Sequence, residues 1–106
     1  MSWIEIGRAD DVPMLEGRSV QLGARRVAIF RLLDGWAAIE HACPHQGGPL
    51  ADGIVADACV TCPLHGWRFD LQTGRRQGGD EHVRTYAVRE RDGMLELEVD
   101  EVALAA

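Results

Sequence analysis

Cys43, His45, Cys62 and His65 are the residues whose types and spacing can do chemistry. They sit in two short loops rich in Pro and Gly, CPHQGG at 43–48 and CPLHG at 62–66. Each loop offers one thiol and one imidazole, and the 16 residues 46–61 separate His45 from Cys62. A Cys and a His this close in sequence can point at neighbouring atoms of a small inorganic core, and two such pairs close a four-ligand site. Common structural zinc sites pair Cys with Cys and His with His, at wider spacings. The Cys–His, Cys–His order instead lets each loop give its thiolate to one metal and its imidazole to another. Two simpler readings stand beside this one. The first is a mononuclear zinc site. The second treats His45 and His65 as ordinary polar loop residues, which leaves their matched Cys partners unexplained.

A pair of histidines replacing a pair of cysteines on one iron is the ligand set of a Rieske [2Fe–2S] centre. Cys43-Pro44-His45 and Cys62-Pro63-Leu64-His65-Gly66-Trp67 match the two boxes of the Rieske family, at the family's spacing. The chain resembles that family from roughly Trp3 to Val99. The resemblance implies a [2Fe–2S] cofactor bound by Cys43, His45, Cys62 and His65, which are at once the cofactor-binding and the metal-ligating residues, with no catalytic residue in this chain. It also implies a potential of about −150 to +300 mV, against about −400 mV for plant-type ferredoxins. The physical reason is charge. Neutral imidazoles leave the oxidised site neutral, where thiolates alone would leave a dianion, so an electron is added more easily. His45 and His65, on the exposed iron, would be the electron exit.

Position within that window depends on hydrogen bonds and burial. Gly47 and Gly48 can bring backbone N–H groups close to bridging sulfides, or can simply permit tight turning. Respiratory Rieske proteins add a disulfide between the two loops. The matching positions here are Gly48 and Leu64, so the chain resembles the lower-potential, ferredoxin-type branch. The third loop that shields many Rieske clusters falls near Gly78-Gly79-Asp80-Glu81 and lacks Pro. Trp67 can fill the core or pack beside the second loop. Trp3 and Trp36 read as core or hairpin packing, and His41 and His82 as surface or loop histidines. Arg75-Arg76 reads as a solvated turn or a partner-docking spot. Cys59, the third cysteine, reads as a small apolar residue packed beside Val60.

The elements that must position these loops are short strands joined by tight turns. Strands are expected at Trp3–Ile6, Arg18–Leu22, Arg26–Leu33, Trp36–Glu40, Ile54–Ala56, Cys59–Thr61, Trp67–Leu71, Arg84–Arg91 and Met94–Val99. Ala28, Phe30 and Leu32 share one face of their strand. Asp34-Gly35 and Asp92-Gly93 are two-residue hairpin turns. The last strand puts Leu95, Leu97 and Val99 inward and Glu96, Glu98 and Asp100 outward. Glu101–Ala106 is expected to fray. The sum is an all-β protein. The resemblance implies the Rieske fold, antiparallel sheets with an inserted cluster-binding subdomain at about residues 41–70.

Composition agrees. The 106 residues suit one domain, 1–106, able to bury about 60–65% of its unfolded surface. The net charge of −6 argues against nucleic acid as a partner. All 11 cations are arginine, a compositional bias. The N-terminus MSWIEIGRADD has neither the basic region nor the apolar core of a signal peptide, and no run approaches a membrane span of about 18 apolar residues. A cytoplasmic protein without a membrane anchor is expected.

Among Rieske functions, a complete oxygenase subunit needs a further mononuclear-iron domain, for which the chain is too short. Two roles remain. VAIFRLLDG, CPHQGGPLADGIV, TCPLHGWRFDLQTG and GGDEHVRTYAV together look most like the Rieske-type small subunit of an assimilatory NAD(P)H nitrite reductase. Gly66 departs from such subunits, which often carry a polar residue there. The implied partner is a large subunit carrying sirohaem and flavin, which reduces nitrite to ammonium. The alternative is a Rieske ferredoxin passing electrons from a flavin reductase to a ring-hydroxylating dioxygenase. A zinc-stabilised binding module is the reading from a different class.

Overall fold

A computed structural model describes residues 2–99, which form ten strands and two short 3₁₀ turns. Strand β1 (Ser2–Arg8) runs into a 3₁₀ turn at Ala9–Asp11. Strands β2 (Gly17–Leu22), β3 (Arg25–Leu32) and β4 (Gly35–Glu40) follow as hairpins. A second 3₁₀ turn at Leu50–Asp52 leads to β5 (Ile54–Ala56), β6 (Cys59–Thr61) and β7 (Arg68–Asp70). The chain closes with β8 (Thr85–Tyr86), β9 (Val88–Arg91) and β10 (Met94–Val99).

The strands form three antiparallel sheets, in the orders β1-β10-β9, β2-β3-β4-β8 and β5-β6-β7. The β2-β3-β4-β8 sheet lies in the middle and is apolar on both faces. Ala28, Phe30, Leu32, Ala37 and Ile39 point to one side, where they meet Leu50, Val55, Val60, Phe69 and Leu71 around the small sheet. Val27, Ile29 and Ala38 point to the other, against Leu95, Leu97 and Val99 of β10. The near-continuous apolar run of β3 is therefore a strand buried on both faces. Its Ala28–Phe30–Leu32 face is as expected from the alternation. The opposite face, with Val27 and Ile29, is equally buried, because β10 packs against it. Each of the larger of these side chains contributes about 1.5–3 kcal/mol by leaving water, and the site is built on this layer.

Two expectations need correction. The β3–β4 turn is Leu33-Asp34, because Gly35 already pairs with Leu32. The expected strand Arg84–Arg91 is two strands. Thr85-Tyr86 pair with β4, Val88–Arg91 pair with β10, and the chain changes sheets at Ala87. Other expectations hold. β5, β6 and β10 match their expected bounds. Asp92 and Gly93 have φ of 53° and 80°, the backbone of a type I′ hairpin turn. Leu95, Leu97 and Val99 are buried, with Glu96 and Glu98 on the wetter face. Asp100 and the tail Glu101–Ala106 lie outside the described residues. Among the described residues no helix is long and apolar enough to cross a membrane.

Candidate metal centre

The two ligand loops have the same backbone design. In the first, the Gly47 N–H donates to the Cys43 carbonyl at 2.8 Å, and the Cys43 N–H donates to the Gly48 carbonyl at 2.9 Å. In the second, the Gly66 N–H donates to the Cys62 carbonyl at 3.0 Å, and the Cys62 N–H donates to the Trp67 carbonyl at 2.7 Å. Gly47 and Gly66 close the loops with φ of 70° and 77°, a left-handed backbone that suits glycine. Gly66, an odd choice when judged by wording alone, thus has a local reason. The fixed offset of the turns fixes the offset of the histidines. His45 is two residues past its Cys and His65 is three past its own, so Gln46 occupies the place in the first loop that His65 holds in the second.

This arrangement sorts the donors by type. The Cys43 and Cys62 thiols are neighbours, and both are buried and free of disulfide. The His45 and His65 rings lie 4.5 Å apart, tilted by 55°. Among the described residues no three His, Cys, Asp or Glu side chains converge as they would around a single ion. Paired sulfur beside paired nitrogen is the distribution that a core of two irons would need.

Burial pushes the Cys43 thiol up. The His45 backbone N–H opposes this, the Cys62 thiol adds to it, and Arg76 draws it down again. A metal that takes the thiolate must displace that proton. The Nδ1 of His45 is buried without a hydrogen-bond partner among the described residues. Such an orphan atom costs free energy unless something accepts its lone pair. His65 is held through its other nitrogen, with Nε2 3.0 Å from Gln46 Oε1. That leaves His65 Nδ1 for a metal, the usual outer support of a ligating imidazole. Gly48 completes the cradle. A Cβ there would lie 2.5 Å from Cys62 Sγ and 3.2 Å from Leu64 Cδ1. Gly48 and Leu64 therefore face each other across the loops, as expected for the positions matching the respiratory disulfide.

The family model of the Rieske [2Fe–2S] domain matches residues 2–92. The chain belongs to the Rieske family. Its cofactor is therefore a Rieske-type [2Fe–2S] cluster and its function electron transfer. The orphan His45 Nδ1, the sorted donors and the Gly48 cradle all fit that group. The chain is 34% identical over 99 residues to the anthranilate 1,2-dioxygenase ferredoxin subunit of Burkholderia cepacia, which covers 92% of each protein. A structure assigned as the NADH-dependent nitrite reductase small subunit of Mycobacterium tuberculosis overlaps with a TM-score of 0.85 at 27% identity, over 93% of this chain and 96% of that one. A chain from the complex of reduced oxygenase and oxidised ferredoxin in carbazole 1,9a-dioxygenase overlaps at 0.80 with 26% identity, over 90% and 91%.

The surroundings of this Rieske site hold residues whose part the sequence reading did not assign. His41 is partly buried, and its Nδ1 accepts the Ala51 N–H at 3.3 Å, which ties the base of the first loop to the 3₁₀ turn. It is a scaffold residue and not a free surface histidine. Burial first, then Arg26, keeps its pKa down. Trp67 both fills the core and stacks on His45, with ring centres 4.4 Å apart and planes 9° apart. Arg76 covers Trp67 and binds Glu81, so one of the two arginines of the expected solvated turn belongs to the site. In the third loop Glu81 pairs with Arg76, which links that loop to Trp67. Cys59 is buried beside Val60, as expected, and its Sγ accepts a contact from Gln77 Nε2 at 3.1 Å. The repeated Cys-Pro-x-x-Gly wording was the available signal for Gln46. The Arg76 stack had none, because it joins three distant positions.

Proposed function

We propose that Cys43 and Cys62 ligate one iron of the cluster and His45 and His65 the other, within a subdomain of about residues 41–70. The observation that carries this assignment is the segregation of thiols from imidazoles at the mouth of two matched loops. When bound, the cluster supplies one-electron transfer at a moderate potential. The chain's own residues orient and protect it. Gln46 fixes the His65 ring, Trp67 packs flat on His45, and the Gly48 backbone leaves room for Cys62. Leu64, 52% exposed, stands at the tip of the second loop, where a partner would approach.

The partner we favour is the sirohaem and flavin large subunit of an NAD(P)H nitrite reductase, which would make this chain its cytoplasmic small subunit. Support comes from the overlap with the Mycobacterium tuberculosis structure along nearly its full length. It also comes from the wording of the stretch Asp80–Tyr86, whose Glu81 pairs with Arg76 beside the site. The second reading, a ferredoxin feeding a ring-hydroxylating dioxygenase, is favoured by the 34% identity to the anthranilate dioxygenase ferredoxin subunit. The deciding experiment mixes the pre-reduced protein with each candidate partner from the same organism. Reoxidation that requires the large subunit and nitrite, with ammonium formed, is the expected result. Reoxidation by a terminal oxygenase with its aromatic substrate, and none with nitrite, would overturn the first reading in favour of the second.

A further inference from the structure

Arg76 lies outside both ligand loops yet is fixed beside them. Its guanidinium carbon sits 3.5 Å from the centre of the Trp67 ring. His45 lies parallel to the same ring at 4.4 Å. Two flat groups at those distances would overlap on one face, so they take opposite faces, with the indole between an imidazole and a guanidinium. The backbone of Arg76 is held as well. It bridges to Phe69 of β7, and its N–H donates to the Glu81 carbonyl at 2.9 Å. Its Nη1 donates to Glu81 Oε1 at 3.0 Å. Its Nε is buried with no partner among the described residues. A guanidinium that leaves a buried N–H unbonded is not placed by hydrogen bonds alone. Contact with the face of the indole keeps it there.

Both charges lie near the site, and Glu81 is held below the usual carboxylate range, first by its hydrogen bond from Arg76. The two charges do not cancel at the site. Arg76, 24% exposed, touches the ring that touches His45, whereas Glu81, 42% exposed, is the more solvated of the two. Reduction makes the site one unit more negative, so a nearby cation favours the reduced state and a nearby carboxylate disfavours it.

We propose that Arg76, stacked on Trp67 opposite His45, is a positioning residue that raises the reduction potential of the cluster, and that Glu81 locks it there while partly offsetting its charge. The proposal rests on the cluster reading, and its test separates the two. The midpoint potential is measured by redox titration of the visible circular dichroism, on holoprotein carrying wild-type iron. Arg76→Gln should lower the potential. Glu81→Gln keeps an acceptor for the guanidinium, removes only the charge, and should raise it. Arg76→Lys keeps the cation but loses the planar stack, so its potential should fall between wild type and Arg76→Gln. Added salt should shrink the Glu81→Gln shift more than the Arg76→Gln shift, because Glu81 is the more exposed. Shifts of the same sign in Arg76→Gln and Glu81→Gln, or a fall in Arg76→Lys as large as in Arg76→Gln, would overturn the proposal while the Rieske spectrum stands. A wild-type protein without that spectrum would overturn the cluster reading and the proposal with it.

Discussion

Adding one methyl group at Gly48 tests how tightly the two loops are set. The φ of Gly48 lies outside the left-handed region, so alanine brings no backbone strain there. The effect is purely steric. The new Cβ would sit 2.5 Å from Cys62 Sγ, with Leu64 Cγ and Cδ1 both at 3.2 Å behind it. An ordinary contact between such atoms is about 3.5–4.0 Å, so the loops must part by about 1 Å. Overpacking of this kind costs about 1–3 kcal/mol, which for a chain of this size lowers Tm by roughly 5–20 °C. The displaced atom is a proposed ligand, so the cluster should suffer more than the fold. The assay is the decay of visible absorbance in chelator, together with a thermal melt. Gly47→Ala is the control, since its Cβ meets nothing within 4 Å while its φ of 70° strains any side chain. Gly48→Ala should lose its cluster clearly faster than Gly47→Ala. Equal decay in both variants, at the wild-type rate, would refute the close approach of Gly48 to Cys62.

Other perturbations separate the remaining parts. Gln46→Leu removes the acceptor at His65 Nε2, which should cost about 0.5–1.5 kcal/mol and speed cluster loss in chelator, while a Gln46→Glu variant keeps an acceptor and should lose it more slowly. Phe30→Ala empties the centre of the site-side core, where Phe30 is 0% exposed, and should cost about 3–5 kcal/mol in a urea melt. The pH dependence of stability should carry a contribution from Cys59. Burial, then Asp70, push its thiol up, with Arg68 opposing and Asp57 adding. The folded chain thus holds a proton that the unfolded chain has lost, so this stability is complete below the ordinary thiol pKa of about 8.5 and declines as pH rises through it. Cys59→Ala should flatten the alkaline limb of the stability curve, and unchanged slopes in urea melts would contradict this.

Much of the architecture could be read from local wording. β5 and β6 match the short strands expected between the two loops, and β10 the strand expected from its clean alternation. The four proposed ligands stand out in the sequence because their types and spacing are set by short loops, which are local. What escaped was non-local. Thr85-Tyr86 and Val88–Arg91 share one β-rich run, and periodicity does not say that a strand changes partners at Ala87. Val27 and Ile29 could not be assigned a burial face until a second sheet lay against them. The stack of His45, Trp67 and Arg76 joins the first loop, the second loop and the turn after β7, and only the folded chain brings them together.

The assignment of two thiolates and two imidazoles to one cluster is tested most directly by low-temperature EPR of the dithionite-reduced protein, purified anaerobically with isotopically labelled histidine nitrogen. The expected result is a rhombic signal with average g below that of an all-cysteine cluster, split by two strongly coupled histidine nitrogens that vanish together with the signal in His45→Ala and His65→Ala. A colourless, EPR-silent protein holding stoichiometric zinc, or an iron–sulfur signal with no histidine coupling, would contradict it.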